Sequence, residues 1–208
     1  MEDLQALLDE SSSHHNHLCP RQILGIRLGL AGLHALRLEP NCGSKRLLII
    51  SETDGCFVDG VTAATGCTVG HRPLRVEDYG KTAATFVDTK TGRAVRVAPT
   101  NDIRDRAYAY MLDEPRHYFA QMQAYKVMPE AEMFSLREVA LNVPVEEIVS
   151  RPGMRVECSV CGEEIMNERE VRHNGHVLCL TCARGGDYTA SDQAGLPMRI
   201  EQESLSCN

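Results

Sequence analysis

The sequence predicts a chain of two unlike units: an α+β core that mixes helices with an antiparallel sheet, then a small C-terminal domain organised by cysteines. Three observations carry this. Helical and strand-like segments follow one another without a regular strand–helix–strand rhythm, which favours α+β over a doubly wound sheet. A length of 208 residues accommodates one domain of about 150 residues and a small satellite. Cys158-Ser-Val-Cys161 is followed, after 17 residues, by Cys179-Leu-Thr-Cys182, and Arg151-Pro152-Gly153 precedes that block as the natural boundary. The core is therefore expected over 1–152 and the cysteine domain over 153–208.

Along the core, Glu2 to Glu10 reads as a short amphipathic helix with Leu4, Leu7 and Leu8 on one side, ended by Ser11-Ser12-Ser13. Pro20 suits a first helical turn, and a second helix runs from it to about Leu36. Gly25, Gly29 and Gly32 lie near one face of that helix, where close backbone packing would compensate for their low propensity. Lys45 to Thr53 is a strand whose run Leu47 to Ile50 is too continuous for an exposed edge. Phe57 to Thr65 is helical and stops at Gly66. Thr82 to Asp88 and Arg93 to Ala98 form a hairpin across Thr89 to Gly92. A helical region spans Asp102 to about Val127 with a break at Pro115, Phe134 to Leu141 alternates as a strand, and Pro144 to Ser150 leads to the boundary.

In the C-terminal block, Cys158, Cys161, Cys179 and Cys182 supply four soft ligands, the set of a closed, structural zinc site. His173-Asn174-Gly175-His176 places a tight turn between Val171-Arg172 and Val177-Leu178, and the second cysteine pair opens a helix from Leu180 to Arg184. Knuckle, hairpin and helix in that order make a treble clef. The competing readings are a redox dithiol pair and unrelated free thiols. A closed site has no vacancy for a substrate, so any ligand chemistry belongs elsewhere.

The hydrophobic share of 43% permits a core without disulfides, and the net charge of −7 disfavours nucleic acid as a partner. Nine cysteines without a secretory signal point to a cytoplasmic protein. The most apolar stretch, Ile23 to Leu38, is interrupted by Arg27, His34 and Arg37 and is too short to span a membrane.

Reactive side chains concentrate between Ser13 and Lys81: His14, His15, His17, Cys19, Asp54, Cys56, Asp59, Cys67, Tyr79 and Lys81. Cys19 would cap the helix that begins at Pro20, where unpaired amides lower a thiol's pKa, and His17 precedes it by two residues. Cys56 stands at another strand-to-helix turn. Bringing the two turns together would make a His17/Cys19/Cys56 pocket able to hold a second divalent metal with one open position. The alternative is that both cysteines are buried small hydrophobes. His14-His15 reads as a solvated turn, and Cys42 and Cys207 carry no signal.

Ser51-Glu-Thr-Asp54-Gly-Cys56-Phe-Val-Asp59-Gly60, Thr65-Gly-Cys67-Thr-Val-Gly70 and Asp78-Tyr79-Gly-Lys81 together resemble the FmdE family, the E component of molybdenum or tungsten formylmethanofuran dehydrogenase. His17-x-Cys19-Pro20 and Thr91-Gly-Arg-Ala-Val-Arg-Val97 fit the same family, over about residues 12 to 150, and a C-terminal zinc finger is a known appendage of it. The resemblance implies an α+β core, a homodimer, association with a larger oxidoreductase complex, and a pocket lined by the His-x-Cys and Asp-x-Cys segments. Arg21, Gly60 and His71 depart from the family's usual residues. In that enzyme the redox cofactors belong to other components, and this chain shows no ferredoxin cysteine run, dinucleotide fingerprint or phosphate loop.

The expectation is a metal-binding accessory protein. Zinc would sit in the finger, and His17, Cys19 and Cys56 would bind a metal or an unknown small ligand. Asp54 and Asp59 are its acid–base candidates, while Tyr79 and Lys81 would position an anionic substrate. Any catalysis would depend on metal or cysteine, with Cys19 or Cys56 as ligand or nucleophile and His17 as base. The alternative is a non-catalytic interaction module whose finger meets protein rather than nucleic acid.

Overall fold

Leu47 to Ile50 are continuous because their strand is buried on both faces: Leu47 and Ile49 join the main core, and Leu48 faces a second apolar cluster. The computed structural model describes residues 4–13, 17–40, 43, 45–149 and 153–186. It divides into two units, Met1–Val149 and Ser150–Asn208.

In the first unit, α1 (Leu4–Ser13) and α2 (Pro20–Leu36) precede β1 (Leu47–Ser51), α3 (Cys56–Thr65) and β2 (Leu74–Val76). β3 (Ala84–Asp88), β4 (Ala94–Pro99), α4 (Ile103–Tyr110), α5 (His117–Val127), α6 (Glu130–Met133), β5 (Phe134–Val139) and α7 (Val145–Val149) follow. The strands form a sheet in the order β2-β1-β3-β4-β5, antiparallel except where β2 runs parallel to β1. One face packs on α2 through Leu47, Ile49, Phe86, Val95 and Val97. On the other face Leu48, Val87 and Ala94 meet Val139, Leu141, Val145 and Ile148, so α7 closes that side.

The glycines of α2 do what close packing requires. A Cβ on Gly25 would fall on the carbonyl oxygen of Phe57, and one on Gly29 would come within 2.7 Å of the Ala64 methyl. A Cβ on Gly32 would enter the Phe86 ring. From α3, Gly60 answers Gly25: its Cβ would fall on the Gln22 carbonyl and lie 2.8 Å from the Ile26 nitrogen. The two helices therefore touch backbone to backbone.

Three local expectations need correction. Ser11 to Ser13 continue α1 instead of ending it, because the Ser12 and Ser13 hydroxyls donate to the carbonyls of Asp9 and Glu10 at 2.9 and 2.7 Å. Pro144 leads into a helix, α7, and not an extended linker. β2 and α6 have no signature in the sequence; each is only three or four residues long, below the span at which periodicity speaks.

The second unit is two hairpins and a helix. β6 (Arg155–Glu157) pairs with β7 (Glu164–Met166), and β8 (Val171–His173) pairs with β9 (His176–Leu178) ahead of α8 (Leu180–Arg184). Asn174 and Gly175 both hold positive φ, 49° and 80°, as the tight turn between β8 and β9 demands. Among its described residues only Cys158 and Ile165 are buried apolar side chains. That is too little to fold on, which leaves the cysteine cluster to organise the unit.

Candidate metal centre and thiol site

The finger's sulfurs converge. The ligand atoms of Cys158, Cys161, Cys179 and Cys182 all lie within 4.8 Å of one another, and the Cys161 and Cys179 sulfurs are 3.9 Å apart. Tetrahedral zinc with Zn–S bonds of about 2.3 Å sets its sulfurs roughly 3.8 Å apart, so the donor set and its spacing fit zinc. Turn geometry builds the cradle. Cys158 donates its N–H to the Glu163 carbonyl at 2.9 Å and accepts from Gly162 at 2.9 Å, closing the knuckle between β6 and β7. Cys179 caps α8, and its sulfur accepts from the Cys182 amide at 3.3 Å. Ser159 and Val177 tie knuckle to hairpin by Ser159 N–H to the Val177 carbonyl at 2.8 Å.

Electrostatics agree with a cation here. Backbone amides of Cys161, Cys179 and Val160 aimed at Cys158 pull its thiol down to about 6. The neighbouring Cys179 sulfur, with burial, pushes Cys182 up to about 12. Four sulfurs this close cannot all carry charge unless a cation sits among them.

In the core, the α2–α3 crossing sets two thiols together. Cys19 is the N-cap of α2 and is buried; its N–H donates to the Gln22 side chain at 2.8 Å. Gln22 also reaches the Ser11 carbonyl at 3.1 Å, fixing the end of α1 against the start of α2. Cys56 is the first residue of α3, behind Gly55 at φ 68°, and its thiol is hydrogen-bonded with that of Cys19. Burial, the Cys19 thiol and the Asp59 carboxylate raise the Cys56 pKa, which overturns the expectation of an activated thiol at this helix start: desolvation outweighs the amides.

The loop after β1 is held from two sides. Glu52, buried, forms a two-pronged pair with Arg96 at 2.5 and 2.8 Å, and its carbonyl accepts the N–H groups of Tyr79 and Lys81 at 3.0 and 3.1 Å. Arg21 reaches the Thr53 hydroxyl at 3.5 Å. Tyr79 and Lys81 thus attach by backbone while their side chains stand exposed, as does that of Asp54. Asp59 is half-buried, one turn beyond Cys56. His71 is exposed and bonded to the Thr68 hydroxyl at 2.7 Å.

The structure brings Cys19 and Cys56 together but leaves His17 exposed. Among the described residues the four-cysteine cluster is the only group of three or more His, Cys, Asp or Glu side chains with ligand atoms so close together. Cys67, grouped above with the reactive side chains, is fully buried and disulfide-bonded, so its sulfur is a cross-link and not a free thiol. His14, His15, Cys42, Arg151, Pro152 and Cys207 lie outside the described residues. Sequence reasoning missed Tyr118, on the first turn of α5. Its hydroxyl donates to the Leu18 carbonyl at 3.5 Å, and its pKa is raised by burial and by Cys19 and Cys56 beside it. No motif marks it; only the packing of α5 on α2 delivers it. No helix among the described residues is long and apolar enough to cross a membrane.

Residues 14–148 match the family described as FmdE, Molybdenum formylmethanofuran dehydrogenase operon, and residues 153–185 match the prokaryotic dksA/traR C4-type zinc finger. A curated Archaeoglobus fulgidus protein, named "Probable S-adenosyl-L-methionine-binding protein", is 30% identical over 208 aligned residues, which take in 90% of this chain and 54% of the relative. The chain thus spans about half the length of that protein. The crystal structure of a tungsten formylmethanofuran dehydrogenase FmdE-like protein from Syntrophus aciditrophicus superposes with a TM-score of 0.58 at 22% identity, covering 90% of this chain and 96% of that one. At that identity the likeness is one of fold. With its core matched over most of its length and a C4 finger behind it, this chain belongs to the FmdE family.

Proposed function

We propose that the protein is a metal-binding accessory protein whose core holds a second metal or a small ligand at Cys19 and Cys56. The observation that carries this is the pair of hydrogen-bonded thiols at the crossing of two helix starts, roofed by Tyr118. His17, two residues ahead of Cys19, supplies the third ligand. Asp59, which acts electrostatically on Cys56, and Asp54 handle protons, and Tyr79 and Lys81 on the Glu52-anchored loop meet an anionic group. The protein works in the cytoplasm as a homodimer serving a larger oxidoreductase complex. S-adenosylmethionine, in the name of the Archaeoglobus relative, is the first small ligand to try.

The test is metal content per chain by mass spectrometry after loading. The parent is expected to carry two equivalents, and Cys19→Ala, Cys56→Ala and His17→Ala one, the finger's zinc. One equivalent in every protein, with no difference in S-adenosylmethionine binding, would sink the core site.

A second reading, an interaction module, draws on the finger's surface. Arg155 is paired with Glu164 at 3.0 Å and Arg172 with Glu170 at 3.0 Å, which leaves both poorly placed for phosphates, while Val160, Met166 and Leu180 stand exposed. That surface suits a protein partner. Deleting residues 153–208 would then abolish association with the complex, and the core substitutions would not.

A further inference from the structure

Away from the thiols, a cavity of about 240 Å³ opens where the start of α4 meets α2 and α5. Leu24 and Ile103 line it with apolar surface, and Thr82, Asn101, Arg104 and Tyr125 with polar groups. Tyr125 is the informative member. It is only 2% exposed, and its hydroxyl has no hydrogen-bond partner among the described residues. A buried hydroxyl left unpaired is a standing cost that folded proteins usually avoid, and one that faces a cavity is a donor awaiting an acceptor. The backbone around it is firmly held, since Arg27 donates to the carbonyls of Tyr125 and Met128 at 2.7 Å each.

Arg104 supplies the charge. Its guanidinium acts electrostatically on the Tyr125 phenol and makes no ion pair among the described residues. The nearby carboxylate is taken: Asp102 binds Arg106 at 2.7 Å. A planar, uncommitted guanidinium beside a phenolic donor matches the two oxygens of a carboxylate. The apolar wall calls for a hydrocarbon portion, which a bare inorganic anion lacks. At about 30 Å³ per water-sized unit, the volume limits the occupant to roughly eight non-hydrogen atoms.

We propose that this cavity binds a small organic carboxylate, its oxygens held by Arg104 and the Tyr125 hydroxyl and its short chain laid against Leu24 and Ile103. The site shares no residue with the Cys19–Cys56 pair and stands or falls separately from it.

Butyrate is the probe, titrated into the full-length, ¹⁵N-labelled protein and followed on backbone amide and arginine side-chain resonances. Saturable shifts are expected at Arg104 and confined to the cavity lining, with a dissociation constant in the millimolar range or below. Arg104 is exposed, so Arg104→Gln keeps the fold and weakens binding by about tenfold or more. Tyr125→Phe removes the unpaired hydroxyl; the ligand-free melting temperature holds or rises, while butyrate no longer raises it as in the parent. Butyramide, equal in shape but uncharged, and inorganic phosphate, charged but without a chain, are expected to bind far more weakly. Equal shifts with butyramide or phosphate, unchanged affinity in Arg104→Gln, or no saturable response to butyrate would each overturn the proposal.

Discussion

Arg46 and Asp88 show how single residues outside any recognised motif pin the core. Asp88, at the end of β3, is buried and accepts both prongs of Arg46 at 2.9 and 2.8 Å, together with the Lys90 amide at 3.1 Å. The Arg46 guanidinium holds the Asp88 carboxyl well below its ordinary value of 3.8. A depressed folded-state pKa means that the unfolded chain binds the proton first. The stabilisation is therefore whole above about pH 4 and drains away as the pH falls further towards the folded value. Acid denaturation followed by circular dichroism should show this loss below pH 4 in the parent. Arg46→Met should lower stability at pH 7 by about 1–3 kcal/mol and flatten the acid limb. An unchanged acid limb would remove Arg46 as its cause. Cys56 teaches the complementary lesson: position at a helix start suggested an activated thiol, and burial beside a second thiol reversed it.

Among elements, the α2–α3 crossing matters most to the thiol site, because it brings Cys19 and Cys56 into contact across two helix starts. Gly25 and Gly60 permit the approach. In Gly60→Ala the added methyl meets the Gln22 carbonyl and the Ile26 nitrogen, backbone atoms that cannot step aside. Overpacking of this kind costs about 1–3 kcal/mol, more than the roughly 1 kcal/mol that alanine gains in helix propensity. Thermal melts should show Gly60→Ala destabilised; a stability equal to or above the parent's would mean the helices can part freely. The glycines of α2 were legible in sequence as a face, since three of them recur along one helix. Their partner on α3 was not, because Gly60 stands alone there and acquires meaning only from what crosses it.

At the scale of the whole chain, the two units depend on different forces. The first buries an extensive apolar core around α2 and the sheet, whereas the second has Cys158 and Ile165 as its buried apolar side chains among the described residues. Stripping zinc with a strong chelator under reducing conditions should therefore melt the finger and leave the core's helical signal and its cooperative transition in place. Amide hydrogen exchange reads both at once: protection lost over residues 155–184 and kept over α2 and β1 is the expected pattern. Loss of protection throughout would tie the core's stability to the metal.

The order of residues is enough to specify the α+β class, the four zinc ligands and the β8–β9 turn, and it carries the motifs that place the core in its family. Those features are local: cysteine spacing, Asn-Gly and a run of buried aliphatics act within a few residues of themselves. Packing alone settles that Cys19 meets Cys56 while His17 stays outside, that Cys67 is a cross-link, and that Tyr118 sits over the thiols. It also sets Tyr125 against a cavity beside Arg104. Each of those facts arises where segments distant in the chain are brought together, and burial there sets both the protonation of a thiol and the need of a hydroxyl for a partner.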